Sequence, residues 1–321
     1  MKAPDFWIEG GPLSDLMAPL GWAWAAGSGF RGRGVVPYKA SVPVVCVGNL
    51  VAGGAGKTPV ALSIAQHLEG AAFLSTGYGG REAGPVLVDR RHHDHSQVGD
   101  EPLLLSEAAP CWVAKDRIAG AKAAAAAGAT CIIMDDGFQN PSLHKDVSLV
   151  VVDGHVGFGS GRCIPAGPLR EPVARGLQRA SAVVIIGDDR KGIRRQVGHL
   201  PVLRAHLEPE AEAEGLAGQP VVAFAGIGRP EKFFHTLDRL GAHIAEAYAF
   251  PDHHPYHPNE IADLIARATI HSCMLITTSK DLVRIPAHLR SEVAVLQISV
   301  AWSDEEALMR VLAPALADMP L

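Results

Sequence analysis

A glycine-rich turn between an apolar run and a helix-compatible segment constrains this chain more than any other feature. Val45-Cys46-Val47-Gly48 leads into Asn49-Leu50-Val51-Ala52-Gly53-Gly54-Ala55-Gly56-Lys57-Thr58-Pro59. A loop that leaves a buried strand and enters a helix turns its backbone N–H groups toward an anion and adds the positive end of the helix dipole. Gly53, Gly54, Ala55 and Gly56 supply that cradle for a triphosphate. Lys57 reaches its terminal phosphates, and Thr58 offers its hydroxyl to Mg²⁺. Pro59 suits the first helical turn, where its missing N–H would be unpaired anyway. The strict Walker pattern is not met, because Val51 stands where its first glycine would be. G-G-x-G-K-T is a deviant form, and the strand–loop–helix setting carries the reading.

Such a loop needs a carboxylate at the end of a neighbouring strand to hold or orient the metal. Cys131-Ile132-Ile133-Met134-Asp135-Asp136 supplies two, after four residues without charge. Ligands of parallel α/β sheets bind at that C-terminal edge. Asp153, which ends the run 147–152, is a second candidate or a turn cap. No N-K-x-D guanine signature is present, and Gly187-Asp188-Asp189-Arg190 stands about where one would fall. ATP is therefore expected rather than GTP.

Apolar runs at 42–47, 71–75, 111–114, 130–135, 147–152, 182–186, 221–225, 274–278 and 293–300 read as strands. Helical stretches at 59–68, 117–127, 231–240, 258–268 and 304–317 lie between them. Continuous apolar strands alternating with helices predict an α/β fold with a parallel sheet covered on both faces. The Glu-, Ala-, Pro- and Gly-rich stretch 208–219 reads as a linker. The expected division is an N-terminal segment 1–40, a P-loop domain 41–207 and a smaller α/β domain 208–321, with the last strand and helix either in that domain or packed back on the first. A cleft between the two domains is the natural place for a substrate.

Leu13 to Phe30 is apolar, carries Trp22 and Trp24, and precedes Arg31, Arg33 and Lys39. Asp15, Pro19 and several glycines interrupt it, and a spanning helix needs about 20 predominantly apolar residues. An amphipathic helix in the membrane interface, with the cations at anionic headgroups, fits better; a helix packed on its own domain is the other reading. A net charge of −5 without a long basic run argues against nucleic acid. The five cysteines are scattered, with no C-x-x-C pair, and read as reduced thiols.

Six motifs in order now carry a resemblance. They are G-N-L-x-x-G-G-x-G-K-T-P at 48–59, S-T-G-Y-G-G-R at 75–81 and V-G-D-E-P at 98–102. They continue with M-D-D-G-F-Q-N at 134–140, P-A-G-P-L-R-E-P at 165–172 and F-P-D-H-H at 250–254. Together they resemble the tetraacyldisaccharide 4′-kinases of lipid A assembly over about residues 10–285. The resemblance implies two α/β/α domains and transfer of the ATP γ-phosphate to the 4′-hydroxyl of an acylated glucosamine disaccharide 1-phosphate. The product is lipid IVA. It implies an enzyme at the cytoplasmic face of the bacterial inner membrane, peripheral or monotopic, with no obligatory protein partner.

The resemblance also implies roles. Asp100 matches the family's proposed base, and His253 would reach it from the second domain and tune its pKa. His254 is the competing histidine. Lys57, Asp136 and Arg170 complete the catalytic set, Arg170 as the cation for migrating phosphate charge. Thr58, Asp135, Glu101 and Glu171 form the expected Mg²⁺ set, with Glu171 alternatively holding Arg170. Tyr78 and Gln139 are expected to line the nucleotide or acceptor pocket, while Arg81, Lys115 and Arg117 are further cations for the acceptor phosphate. Where the family carries an acid, this chain has Ser279, in Thr277-Thr278-Ser279-Lys280-Asp281. The competing function is a nucleotide-switched metal-insertion or targeting factor, which also uses a G-G-x-G-K-T loop. The histidines, including His92-His93-Asp94-His95, motivate it.

Overall fold

The computed structural model describes residues 4–30 and 34–317. Arg31 and Arg33, two of the three expected basic residues, lie outside the described residues.

The described residues form thirteen strands: β1 (Val44–Gly48), β2 (Ala71–Ser75), β3 (Val86–Leu87), β4 (Cys111–Val113), β5 (Cys131–Asp135), β6 (Val147–Asp153), β7 (Ala182–Ile186), β8 (Val202–Pro209), β9 (Pro220–Ala225), β10 (His243–Ala249), β11 (Met274–Thr278), β12 (Ala294–Leu296) and β13 (Ile298–Trp302). Nine of them make one sheet in the order β13-β8-β7-β6-β1-β5-β2-β4-β3. Seven run parallel, and the two edge strands, β13 and β3, pair antiparallel with their neighbours. Strands β1, β2, β5, β6 and β7 are buried along their whole length, which is why they read as continuous apolar runs. Each fully buried Val, Leu or Ile contributes about 1.5–3 kcal/mol.

The second sheet is parallel in the order β10-β9-β11-β12. Its helix Pro230–Arg239 buries Phe233 and Leu237 on one face, and helix Pro258–Ile270 buries Ile261, Leu264 and Ala268 on the other. The stretch read as a linker contains a 3₁₀ turn, Ala211–Leu216, whose Ala213 and Leu216 belong to this second core. The run read as one strand at 293–300 splits at Gln297. Its first half is β12 in the small sheet, and its second half is β13 beside β8. Helix Glu305–Leu316 follows β13 back, burying Leu308, Leu312 and Ala315 in the first core. Spacing of four and three residues puts these on one helix face. Of the two placements left open for the last strand and helix, the chain takes the return to the large sheet, so a cut at 208 would part them from the sheet they join.

Candidate active site

Strand β1 lies between β5 and β6, so the loop that follows it opens at the middle of the sheet's C-terminal edge. Gly56 sits at φ +86° as the cap of helix Lys57–Ala65, a conformation that glycine adopts without strain. Lys57 and Thr58 are the first two residues of that helix, and both are buried. Thr58 Oγ1 lies 3.4 Å from Asp135 Oδ2 at the end of β5. Asp135 Oδ1 is buried with no hydrogen-bond partner. Burial, then the charge of Glu101, push the Asp135 carboxyl well above its ordinary range. A bound cation would reverse both penalties at once.

The adjacent Asp136 has φ +54°, a region that non-glycine residues rarely occupy away from functional or tight-turn positions. That turn brings its carboxylate 3.7 Å from Lys57 Nζ and into a two-pronged pair with Arg170, at 2.7 and 3.1 Å. Burial disfavours its ionised form, yet Lys57 and Arg170 outweigh burial and hold its pKa below the usual value.

The loop carrying Arg170 lies against the phosphate loop. Ala52 N donates to Pro168 O at 2.7 Å, and Arg170 N donates to Leu50 O at 2.8 Å. Gln139 supports it, donating to Asn49 O at 2.9 Å and Glu171 Oε1 at 3.2 Å. Glu171 is buried and held by Arg179 Nη2 at 2.7 and 2.9 Å. Glu171 thus pairs with Arg179 and Gln139, whereas the Arg170 guanidinium is on Asp136, so the expected hold of Glu171 on Arg170 is not what the geometry shows. From the other side, helix Pro12–Phe30 docks through small residues and hydrogen bonds. Ser14 Oγ donates to Ala166 O at 2.7 Å, and Trp24 Nε1 to Arg170 O at 2.9 Å. A Cβ on Gly21 would come within 2.8 Å of Cys163 O. The large side chains Leu16, Leu20 and Trp22 point outward, 77%, 58% and 72% exposed.

The second sheet brings His253 to meet a helix of the first unit, which precedes β4. Asp100 begins the helix Asp100–Leu105; Gly99 before it has φ +88°, and a Cβ there would come within 2.6 Å of Tyr78 O. The glycines of S-T-G-Y-G-G-R and V-G-D-E-P thus let two loops touch, which fixes Asp100. His253 Nδ1 lies 2.8 Å from Asp100 Oδ2, and Tyr78, itself exposed, meets the His253 ring edge-on at 5.9 Å. His253 has φ +59°, the second non-glycine residue of the site in that region. His254 turns the other way, onto Glu260 at 3.1 Å. Burial opposes ionisation of Asp100, but the hydrogen bond and charge of His253, then Lys280 and Arg284, hold it down at about 2. The same hydrogen bond raises the pKa of His253. Glu101 pairs with Lys280 Nζ at 2.9 Å.

Two groups emerge that the sequence reading did not single out, Arg284 and Tyr256, and both meet on Asp281. Arg284, buried, donates to Asp281 Oδ1 at 2.8 Å and to Gly226 O at 3.0 Å, with its Nε 3.8 Å from Asp100 Oδ2. Gly226 O also accepts the backbone N–H of His253 at 3.1 Å, so Arg284 and Asp281 hold the histidine's loop. Tyr256 OH donates to the same Asp281 Oδ1 at 2.6 Å. The spacing Lys280-Asp281-x-x-Arg284 was the available signal, two cations and an acid beside an apolar strand. Arg117, expected at the acceptor phosphate, is buried at the first position of helix Arg117–Ala126, with Nη1 on Ala114 O at 3.2 Å. Arg81 and Lys115 are exposed.

With this geometry described, the chain can be set beside known proteins. Residues 13–317 match the sequence profile of tetraacyldisaccharide-1-P 4′-kinase. The chain is 53% identical over 328 residues to a tetraacyldisaccharide 4′-kinase of Rhodospirillum centenum, covering 99% of this chain and 97% of that protein. It is 52% identical over 310 residues to one from Paramagnetospirillum magneticum, covering 94% and 95%. The crystal structure of LpxK from Aquifex aeolicus in complex with ATP superposes with a TM-score of 0.77 at 26% identity, covering 95% of this chain and 99% of that one.

Proposed function

The chain belongs to the tetraacyldisaccharide-1-P 4′-kinase family, and on that premise we propose how its cleft transfers phosphate from ATP to the 4′-hydroxyl of the acylated disaccharide 1-phosphate. The triphosphate lies in the 53–58 loop with Lys57 on its terminal phosphates. The acceptor oxygen attacks the γ-phosphorus, the bond to the β–γ bridging oxygen breaks, and ADP leaves with that electron pair. Phosphoryl transfer is largely positioning and charge stabilisation. Arg170, already aimed at the loop by Asp136, is the cation for the migrating charge. The hydroxyl's proton passes to the Asp100–His253 pair, whose two members come from opposite walls of the cleft. That 2.8 Å pair is the observation that carries the reading.

The residues fit a divalent ion. Asp135 Oδ1 is an orphaned buried acceptor beside the Thr58 hydroxyl. Among the described residues there is no cluster of three or more His, Cys, Asp or Glu fit to hold a metal. Mg²⁺ suits such a place, since it is usually held by one or two carboxylates plus substrate phosphates. Thr58 and Asp135 would hold it, with Glu101 near, and it would neutralise charge on the phosphate oxygens. Lys57, Asp136 and Arg170 do the rest of the orienting.

Helix Pro12–Phe30 supports attachment to a membrane surface, which on this reading is the cytoplasmic face of the inner membrane. Among the described residues no helix is long and apolar enough to cross. The outward Leu16, Leu20 and Trp22 suit a helix lying in the interface, where apolar side chains sink at the headgroup boundary. Purified protein, Mg-ATP and the acylated disaccharide 1-phosphate, with the phosphorylated position mapped, test the whole reading. Product phosphorylated at another hydroxyl, or none, would overturn it.

A further inference from the structure

Strand β6 ends on Asp153, a buried carboxylate that no step above uses. Because β6 pairs in parallel with β1, Val150 opposite Gly48, its C-terminal end stands beside the start of the phosphate loop. Both cations on this carboxylate come from the second unit. Lys232 Nζ, in helix Pro230–Arg239, lies 2.8 Å from Asp153 Oδ2. Arg229, just before that helix, donates to the same oxygen. The guanidinium nitrogen that does so, Nη2, is also 3.5 Å from Gly54 O, within the loop. Asp153 Oδ1 is taken by the backbone N–H of His155 at 2.9 Å.

Two cations thus share one carboxylate oxygen, and one of them touches the loop that cradles a polyanion. Either alone would neutralise Asp153. Lys232 is a compact point charge suited to stay on the carboxylate, whereas the planar fork of Arg229 matches phosphate oxygens. Burial works against the charge on Asp153, yet Lys232 and Arg229 hold its pKa down at about 2, so the carboxylate stays ionised at neutral pH.

We propose that Arg229 is a nucleotide-binding residue supplied by the second unit, parked on Asp153 and turned to the phosphate chain when ATP enters the loop. The inference rests on ATP occupying the 53–58 loop. It gives the second unit a stake in nucleotide binding, so ATP favours the approach of that unit, and with it His253 to Asp100. Coupling of this kind is reciprocal by linkage.

The experiment is equilibrium binding of a non-hydrolysable ATP analogue, and of adenosine, to the full chain carrying Arg229→Ala, Arg229→Lys or Asp153→Asn. Arg229→Ala is expected to weaken the analogue by about tenfold or more, the scale of one charge-assisted hydrogen bond. Adenosine affinity should not change, and Arg229→Lys should fall between. Asp153→Asn releases Arg229 and should leave analogue binding equal or tighter. Equal loss in Asp153→Asn and Arg229→Ala would make the bridge a structural clamp and overturn the proposal. So would an Arg229→Ala affinity matching the unsubstituted chain. Failure of the unsubstituted chain to bind the analogue would instead refute the loop reading, and this inference with it.

Discussion

Replacing His253 with alanine separates positioning from chemistry at the candidate site. Asp100 Oδ1 accepts the backbone N–H of Glu101 at 2.9 Å, and Oδ2 faces His253 Nδ1 at 2.8 Å with Arg284 Nε at 3.8 Å. The carboxyl lies at about 2 instead of 3.8, which corresponds to about 2 kcal/mol in favour of its ionised form. Burial opposes that ionisation, and His253 is the largest of the groups that overcome it. His253→Ala should therefore raise the Asp100 pKa while ATP still binds at the loop that carries Lys57. Loss of a positioned general base or of its partner costs about 10²–10⁴-fold in turnover, and kcat for the acceptor should fall in that range. The signs of the two pKa shifts also fix the pH response. Depressed Asp100 stabilises the closed pair above 3.8, and that contribution is lost as pH falls through about 2. Raised His253 stabilises it below the histidine's ordinary 6.5, and that contribution is lost as pH rises through the raised value. Apparent acceptor affinity should then weaken on the alkaline side in the unsubstituted enzyme and lose that dependence in His253→Ala. The assay is initial-rate phosphate transfer from labelled ATP across a pH series. A kcat within about fivefold of the parent at every pH would refute the proton-accepting role assigned to the pair.

Other perturbations probe other parts of the cleft. Asp135→Asn should raise the Mg²⁺ concentration needed for half-maximal activity by about tenfold or more, read by metal titration of the transfer rate. Because burial and Glu101 raise the Asp135 pKa, the parent's Mg²⁺ requirement should also climb as pH falls through that raised value, since a metal ligand must be deprotonated. Arg170→Lys keeps a charge but loses the fork on Asp136; kcat should fall about tenfold or more with nucleotide affinity little changed, measured by paired kinetics and binding. Leu16→Ser and Trp22→Ser remove outward apolar surface; sedimentation with anionic vesicles should show each weakening partition by about tenfold, from about 1.5–3 kcal/mol per side chain withdrawn.

The central sheet was legible because parallel strands covered on both faces must be apolar at every position, as in Val147–Asp153 and Ala182–Ile186. Strands with one wet face were not. His243–Ala249 alternates exposed and half-buried residues at the edge of the small sheet, and Val202–Pro209 is mostly exposed after its first half. Period-two patterns of that kind, mixed with His, Glu and Arg, look like loop. The exchange of sheets at Gln297 was hidden for another reason: two short apolar strands with one residue between them carry no local mark of where each pairs. In the site, the phosphate loop and Asp135–Asp136 announced themselves because their chemistry is local in sequence. Arg284, Asp281 and Arg229 act through partners 50 or more residues away, as Gly226 N to Asp281 Oδ1 and Arg229 to Asp153 illustrate. Only the fold reveals such pairs.

One chain of contacts joins the outward-facing helix to the phosphate loop. Helix Pro12–Phe30 is held on the 163–170 loop by Ser14 and Trp24, and Trp24 bonds the carbonyl of Arg170 itself. That loop lies on the phosphate loop through Ala52 and Leu50, and its Arg170 side chain grips Asp136, which in turn faces Lys57. A surface seated against Leu16 and Trp22 is thus separated from the transferring phosphate by one hydrogen-bonded layer. The small residues of the helix make this economical: Ser14 and Gly21 allow close backbone approach, so the large apolar side chains are left for the outside. An acceptor whose acyl chains stay in a bilayer would need such a short path. Gly21→Leu tests it directly, because a side chain there collides with Cys163 O and Ala166. Lifting the helix should disturb Arg170 and lower kcat even toward a detergent-dispersed acceptor. If kcat there is unchanged while vesicle binding falls, the helix acts as a membrane anchor alone and the path through Arg170 is wrong.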